Sequence, residues 1–79
     1  MNYATVSSLA ALQAAERAVP AGSVVAVTVA AGLPDGDAPA VLDRVRALGW
    51  VLTNPARLQH KVARAAAAGS GSDPEPGTP

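Results

Sequence analysis

Ser23-Val24-Val25-Ala26-Val27-Thr28-Val29-Ala30 is the stretch that decides the fold of this 79-residue chain. Its four valines and one threonine are β-branched, and such side chains fit the pleated surface of a strand. Val25, Val27 and Val29 alternate to one side, and smaller side chains alternate to the other. Because both sides are nearly apolar, the segment predicts a central strand that is covered on both faces.

A first helix is predicted before this strand, over residues 5–19. Leucines recur there at helical spacing between alanines, and alanine is the best helix former. Thr5, Ser7 or Ser8 can cap its start. Pro20 ends it, because the residue before a proline is driven out of helical geometry.

A second helix is predicted after the strand, over residues 38–48. Asp37 stands where a helix cap is expected, and Pro39 falls in the first turn, where a missing N–H does no harm. Gly49 is expected to end the helix in the left-handed conformation, and Trp50 would then contact the last helical turn.

A short second strand, residues 50–53, and a third helix, residues 55–68, complete the pattern. Asn54-Pro55 is a helix start signal, and Gly69 is expected to end the helix. The predicted fold is therefore a small α/β domain of order α-β-α-β-α. Its core is a βαβ unit with parallel strands.

Two parallel strands do not form a stable sheet by themselves, so the predicted sheet is incomplete. Either residues 2–6 form a further strand, or another chain completes the sheet. The size of the core supports the second alternative, because apolar residues larger than alanine make up only about a quarter of the chain. With no cysteine and one histidine, the chain also lacks the disulfides or metal site that stabilise many small domains. We therefore expect self-association or a partner chain.

The domain is predicted to span residues 1–68 and to be followed by a disordered tail, residues 69–79. That tail contains glycine, serine, proline and acidic residues but no apolar anchor. The chain has no run of about 20 apolar residues that could cross a membrane, and no basic segment typical of a signal peptide. We expect no membrane association and a cytoplasmic location.

Residues suited to catalysis or metal binding are scarce. Cysteine is absent, the single His60 lies in a basic run, and Asp35 and Asp37 lack the further ligands of a calcium loop. Turn formation and helix capping account for both aspartates. No glycine pattern matches a phosphate-binding loop. We expect no enzymatic activity, no cofactor and no metal.

Charge is segregated along the chain, although its formal net charge is zero. Residues 44–64 contain five basic residues and no acid, and Arg57, Lys61 and Arg64 follow one another along one side of the third helix. One interpretation is a solvated helix face. The other is a contact with phosphate or with an acidic partner.

The residues proposed for a protein interface are Trp50, Val25, Val27 and Val29. A lone tryptophan after a helix end is more often a core residue, so Trp50 is an interface candidate if it is exposed. The favoured function is a non-enzymatic protein interaction or assembly module that binds itself or another protein. The alternative is an accessory protein that binds nucleic acid through Arg57, Lys61 and Arg64.

Overall fold

The computed structural model describes residues 2–72 of the chain. Three strands alternate with three helices, and a short 3-10 turn, Asp35–Asp37, precedes the second helix. The predicted α/β class is confirmed. The elements in chain order are β1 (Asn2–Val6), α1 (Leu9–Ala18), β2 (Val25–Val29), α2 (Ala38–Leu48), β3 (Val51–Leu52) and α3 (Pro55–Ser72).

Strand β1 is the further strand that the incomplete sheet required. It pairs with β2 in parallel over its full length, from Asn2 opposite Val25 to Val6 opposite Val29. The prediction that a helix starts at residue 5 is therefore wrong, because Thr5 lies in β1. Helix α1 begins at Leu9, where the Ser8 hydroxyl accepts a hydrogen bond from the N–H of Ala11 at 3.1 Å.

Strand β2 is central, as predicted. The sheet order is β1-β2-β3, and β3 pairs with β2 in parallel through Ala26 opposite Val51 and Val27 opposite Leu52. Asn54 extends this pairing beyond β3, because its side-chain amide accepts from the N–H and donates to the carbonyl of Val29, both at 2.9 Å. The Asn54 side chain thus takes the place of a further strand residue.

The core lies on one side of the sheet only. Val25, Val27 and Val29 are fully buried there, and all three helices supply side chains to the same cluster, among them Leu12, Val41 and Leu58. The expectation that β2 is covered on both faces is wrong for the part of the chain that the structure describes. Right-handed crossovers between neighbouring parallel strands that follow in chain order place their helices on the same face.

The C-terminal end of α2 follows the predicted pattern. Gly49 has φ 71°, and its N–H and that of Trp50 bond to carbonyls of the last helical turn, including that of Val45. Trp50 and Val45 lie in the same core cluster. Helix α3 extends past Gly69 to Ser72 instead of ending there, and residues 73–79 of the predicted tail lie outside the described residues.

Within residues 2–72, no helix is long and apolar enough to cross a membrane.

Candidate functional site

The side of the sheet away from the helices, here called the open face, carries the exposed apolar side chains of the structure. Within the described residues, the large apolar side chains with the highest exposure are Tyr3 (77%), Val51 (50%) and Val24 (46%). Tyr3 and Val51 belong to paired strands and lie on this face, and Val24, which directly precedes β2, continues the alternation of that strand. The open face comprises Tyr3, Thr5, Val24, Ala26, Thr28, Val51 and Thr53.

An apolar row crosses the open face at the level of Ala26. Tyr3 is opposite Ala26 on one side, and Val51 is opposite it on the other. The small Ala26 side chain is only 4% exposed because it lies between these two larger neighbours. The row therefore presents mainly Tyr3 and Val51 to solvent, one on each side of the covered Ala26.

A row of threonines runs beside the apolar row. Thr5 is opposite Thr28, and the hydroxyl oxygens of Thr28 and Thr53 are 2.7 Å apart in a hydrogen bond. The Thr53 hydroxyl also lies 3.3 Å from the carbonyl oxygen of Val27. The polar groups of this face are thus partly satisfied within it, and none of its seven residues is charged.

The outer edge of the sheet at β1 adjoins the open face. Its sequence, Asn2-Tyr-Ala-Thr-Val6, contains no charged residue and no proline. Natural sheets commonly protect an edge with lysine, proline, a bulge or a very short strand. The opposite edge, β3, is only two residues long. The β1 edge has none of the protective residues and is the longer of the two.

The residues that the sequence suggested for an interface lie in the core. Val25, Val27 and Val29 are fully buried beneath the helices. Trp50 is 8% exposed, and its indole N–H donates to the carbonyl oxygen of Ser23 at 3.1 Å. These four side chains offer almost no surface to a partner, and the exposed side of β2 is the opposite one.

A basic cleft of about 440 Å³ lies between α3 and the segment that follows β2. It is lined by Ala31, Ala56, Arg57, His60, Lys61 and Arg64. The cleft is at the carboxyl end of β2. The structure therefore brings Arg57, Lys61 and Arg64 together, and adds His60 to them.

Lys61 is a buried member of the cleft wall rather than part of a solvated stripe. Its ammonium group donates to the carbonyl oxygens of Ala31 at 2.9 Å and Leu33 at 2.8 Å. The carboxylate of Asp35 lies 3.9 Å away. Lys61 therefore connects α3 to the segment between β2 and α2, and its main contacts are within the protein.

Arg64 is also engaged, through Asp35. Its Nε and Nη2 atoms donate to the two carboxylate oxygens at 3.0 and 3.2 Å, so the ion pair is bidentate. Asp37, two residues further on, was expected to cap α2. Its side chain makes no such bond, and its carboxylate instead accepts the N–H of Leu9 in α1 at 3.2 Å.

Arg57 and His60 form fewer hydrogen bonds and ion pairs within the protein than Lys61 and Arg64 do. Arg57 Nη1 lies 3.4 Å from the carbonyl oxygen of Val29, which is at the long limit for a hydrogen bond. Both residues are exposed, and within residues 2–72 neither forms an ion pair with a carboxylate. In the sequence, His60 is recognisable only as the single histidine of a basic run.

One further ion pair joins two helices outside the cleft. Arg44 donates to one oxygen of Glu16 from Nη2 at 2.6 Å and from Nε at 3.0 Å. The hydrogen bond from Arg44, together with its charge, lowers the pKa of Glu16, and the same bond raises the pKa of Arg44. This pair connects α1 to α2 on the surface.

No group of three or more histidine, aspartate or glutamate side chains that could hold a metal ion is present within the described residues. The chain matches no protein-family model, and no curated protein or solved structure is significantly similar to it. The open face, the β1 edge and the basic cleft are therefore the features that indicate a function.

Proposed function

We propose that the protein is a non-enzymatic assembly module that binds a second copy of itself through the open face. One observation carries the proposal. The large apolar side chains exposed in the described structure, Tyr3, Val24 and Val51, gather on the one face of the sheet that no described helix covers. Contiguous exposed apolar patches commonly mark interaction sites.

The chemistry of the open face favours a second copy as its occupant. The face carries no charge, so a charged partner surface would lose hydration without gaining an ion pair. The open face of a second copy presents the same apolar and threonine rows. Two sheets pack face to face through such uncharged surfaces, with bulky side chains of one filling depressions in the other. The exposed side chains of Tyr3 and Val51, on either side of Ala26, are the bulky groups available for such packing.

The area of the open face limits the expected strength of self-association. From ordinary strand spacing and rise, two strands of five residues and one of two cover roughly 200 Å². A standard interface buries about 800 Å² on each partner. We therefore expect weak, concentration-dependent association through the face alone. Pairing of the β1 edge with that of another copy would add backbone hydrogen bonds and extend the uncharged surface.

Sedimentation velocity over a concentration series from about 10 μM to about 1 mM tests the proposal. We expect the weight-average mass to rise with concentration for the unmodified chain. Tyr3→Glu and Val51→Glu each place a charge on the apolar row and should shift the series to the monomer mass. Gln13→Glu adds the same charge to an exposed position of α1 and should leave the association unchanged.

Two results would overturn self-association through this face. One is a monomer mass at every concentration. The other is an equal loss of association in Gln13→Glu, which would indicate a general charge effect. Circular dichroism of each variant must match that of the unmodified chain. Since Tyr3 and Val51 are exposed, their replacement is expected to leave the fold intact.

Nucleic-acid binding remains the second hypothesis and has weaker support. Of its three proposed contacts, Lys61 is buried against carbonyl oxygens and Arg64 is paired with Asp35. Only Arg57 is exposed and without a carboxylate partner in the described structure. Backbone tracking along a duplex needs several such cations in a row.

A further inference from the structure

We propose that the basic cleft binds the phosphate group of a small phosphorylated molecule, with Arg57 and His60 as the direct contacts. This site is separate from the open face, because the open face lies across the sheet from the helices and the cleft is bounded by α3. It would make the protein a ligand-binding module as well as an assembly module.

The position of the cleft supports a binding role. In open α/β sheets, ligands bind outside the carboxyl ends of the strands, at the point where the strand order reverses. The order β1-β2-β3 has no reversal, so the cleft shares only the position at a carboxyl end. The cleft lies there, between Ala31, two residues beyond β2, and the first turns of α3. Its volume of about 440 Å³ falls within the ordinary range of small-molecule sites.

The charges in the cleft are unbalanced. Arg57, Lys61 and Arg64 contribute three positive charges, and Asp35 is the one carboxylate that pairs with any of them in the described structure. Arg57 is also unfavourably placed, because it stands in the first turn of α3, which contains no acidic residue. The amino end of a helix carries partial positive charge. A bound anion would relieve both effects.

The division of contacts indicates which side chains would bind. Asp35 and the carbonyls of Ala31 and Leu33 hold Arg64 and Lys61 in place. Arg57 retains guanidinium donors, and His60 carries an imidazole, one turn further along the same helix wall. Arginine presents a planar fork that matches the oxygens of phosphate. The two residues can therefore contact one phosphate without breaking the existing bonds.

The shape of the site favours a small molecule over a nucleic acid. Arg57, Lys61 and Arg64 follow one another along α3, but Lys61 and Arg64 already bond within the protein. No aromatic side chain lines the cleft to stack a base. A single phosphate with a short attached group fits this arrangement. Duplex binding would require exposed cations beyond the cleft.

Isothermal titration calorimetry with pyrophosphate and with inorganic phosphate at low salt tests the site. We expect saturable binding of pyrophosphate that weakens about tenfold or more in Arg57→Gln, since hydrogen bonds between charged groups are the strong ones. His60→Gln should weaken it by a smaller factor. Arg46→Gln removes an exposed arginine of α2 that does not line the cleft, and it should leave the affinity unchanged.

Asp35→Asn gives a result of opposite sign. Asp35 is the carboxylate that offsets the positive charges of Lys61 and Arg64. Its loss raises the net positive charge of the cleft, so pyrophosphate binding should tighten several-fold. Amide shifts in a ¹⁵N–¹H spectrum should centre on Ala31 and on residues 56–64 in the unmodified chain. This spectrum locates the site even where a variant loses stability.

Three outcomes would overturn the proposal. The first is no detectable binding of either anion, and the second is equal weakening in Arg57→Gln and Arg46→Gln. The third is binding of a 20-base-pair DNA duplex that pyrophosphate does not displace, which would favour a nucleic-acid contact instead. None of them depends on self-association, so the proposed assembly function can fail or hold independently.

Discussion

The ammonium nitrogen of Lys61 lies 2.8 Å from the carbonyl oxygen of Leu33, although 28 residues separate them. Leu33 is itself a core residue, and the carbonyl oxygen of Ala31 is the second acceptor of Lys61. A lysine in a basic helical stripe thus satisfies two backbone acceptors of the segment after β2. Loss of that donor has a direct consequence for stability.

Lys61→Met should lower the free energy of unfolding by about 1–3 kcal/mol, because methionine retains much of the stem but leaves two carbonyls without their donor. Urea denaturation followed by circular dichroism measures the change. Arg46→Met, at an exposed position of α2, is the matched control and should change stability by less than about 0.5 kcal/mol. Equal midpoints for the two variants would contradict the role given to Lys61.

Asp37→Ala should destabilise the protein by about 1 kcal/mol through α1, the helix whose first N–H group its carboxylate accepts. Asp37→Asn keeps an acceptor oxygen and should cost less. Hydrogen exchange of the Leu9 amide locates the effect, since that group loses its partner in Asp37→Ala. Asp43→Ala, an exposed acidic position of α2, should leave Leu9 exchange unaltered. Faster exchange confined to α2 would indicate that Asp37 acts as a cap for α2 after all.

Gly49→Ala should lower the free energy of unfolding by about 1–2 kcal/mol, although the new methyl group would meet no neighbouring atom within 4 Å. The cost arises from φ 71°, which a residue with a Cβ adopts unfavourably. Gly36→Ala also meets open space but lacks positive φ, so it should be neutral or slightly stabilising. Thermal denaturation of the two variants compares them directly. Equal effects would exclude backbone conformation as the cause.

The Glu16–Arg44 pair predicts a pH dependence of stability. Because hydrogen bonding by Arg44 lowers the pKa of Glu16 in the folded state, the pair stabilises the protein fully above the ordinary glutamate pKa of 4.5. That contribution is lost as the pH falls through the lowered folded value. The unmodified chain should therefore exceed Glu16→Gln in stability at pH 7, and the difference should shrink below pH 4.5. Urea midpoints from pH 7 to pH 3 measure it.

The same series in an Arg44→Gln background is the control. Without the guanidinium, Glu16→Gln should have a smaller effect that varies less with pH. A pH dependence of unchanged size would show that another group lowers the pKa of Glu16.

The elements that the sequence predicted correctly are those determined by interactions between neighbouring residues. The β-branched run produced β2, and Gly49 ended α2 as expected, because both depend on a few adjacent residues. Strand β1 was open to two interpretations. The residues next to Thr5 in the sequence are typical of a helix cap. Thr5 lies in a strand because β1 pairs with β2, where Thr28 is its partner.

Contacts between distant residues could not be predicted in the same way. The carboxylate of Asp37 accepts a hydrogen bond from the first residue of α1, 28 residues earlier, and Asn54 binds the backbone of Val29 across the sheet. Nothing near those residues specifies such partners. The uncovered face was missed for a related reason, because apolar alternation in β2 does not show on which side the helices will lie.

The two aromatic side chains of the chain, Tyr3 and Trp50, lie on opposite sides of one three-stranded sheet. Trp50 is surrounded by core residues, so its emission should follow unfolding and be insensitive to what touches the outer surface. Tyr3 is exposed on the open face, so its absorption should follow assembly. The chain therefore contains two intrinsic optical reporters, which allow folding and association to be recorded separately in one unlabelled sample.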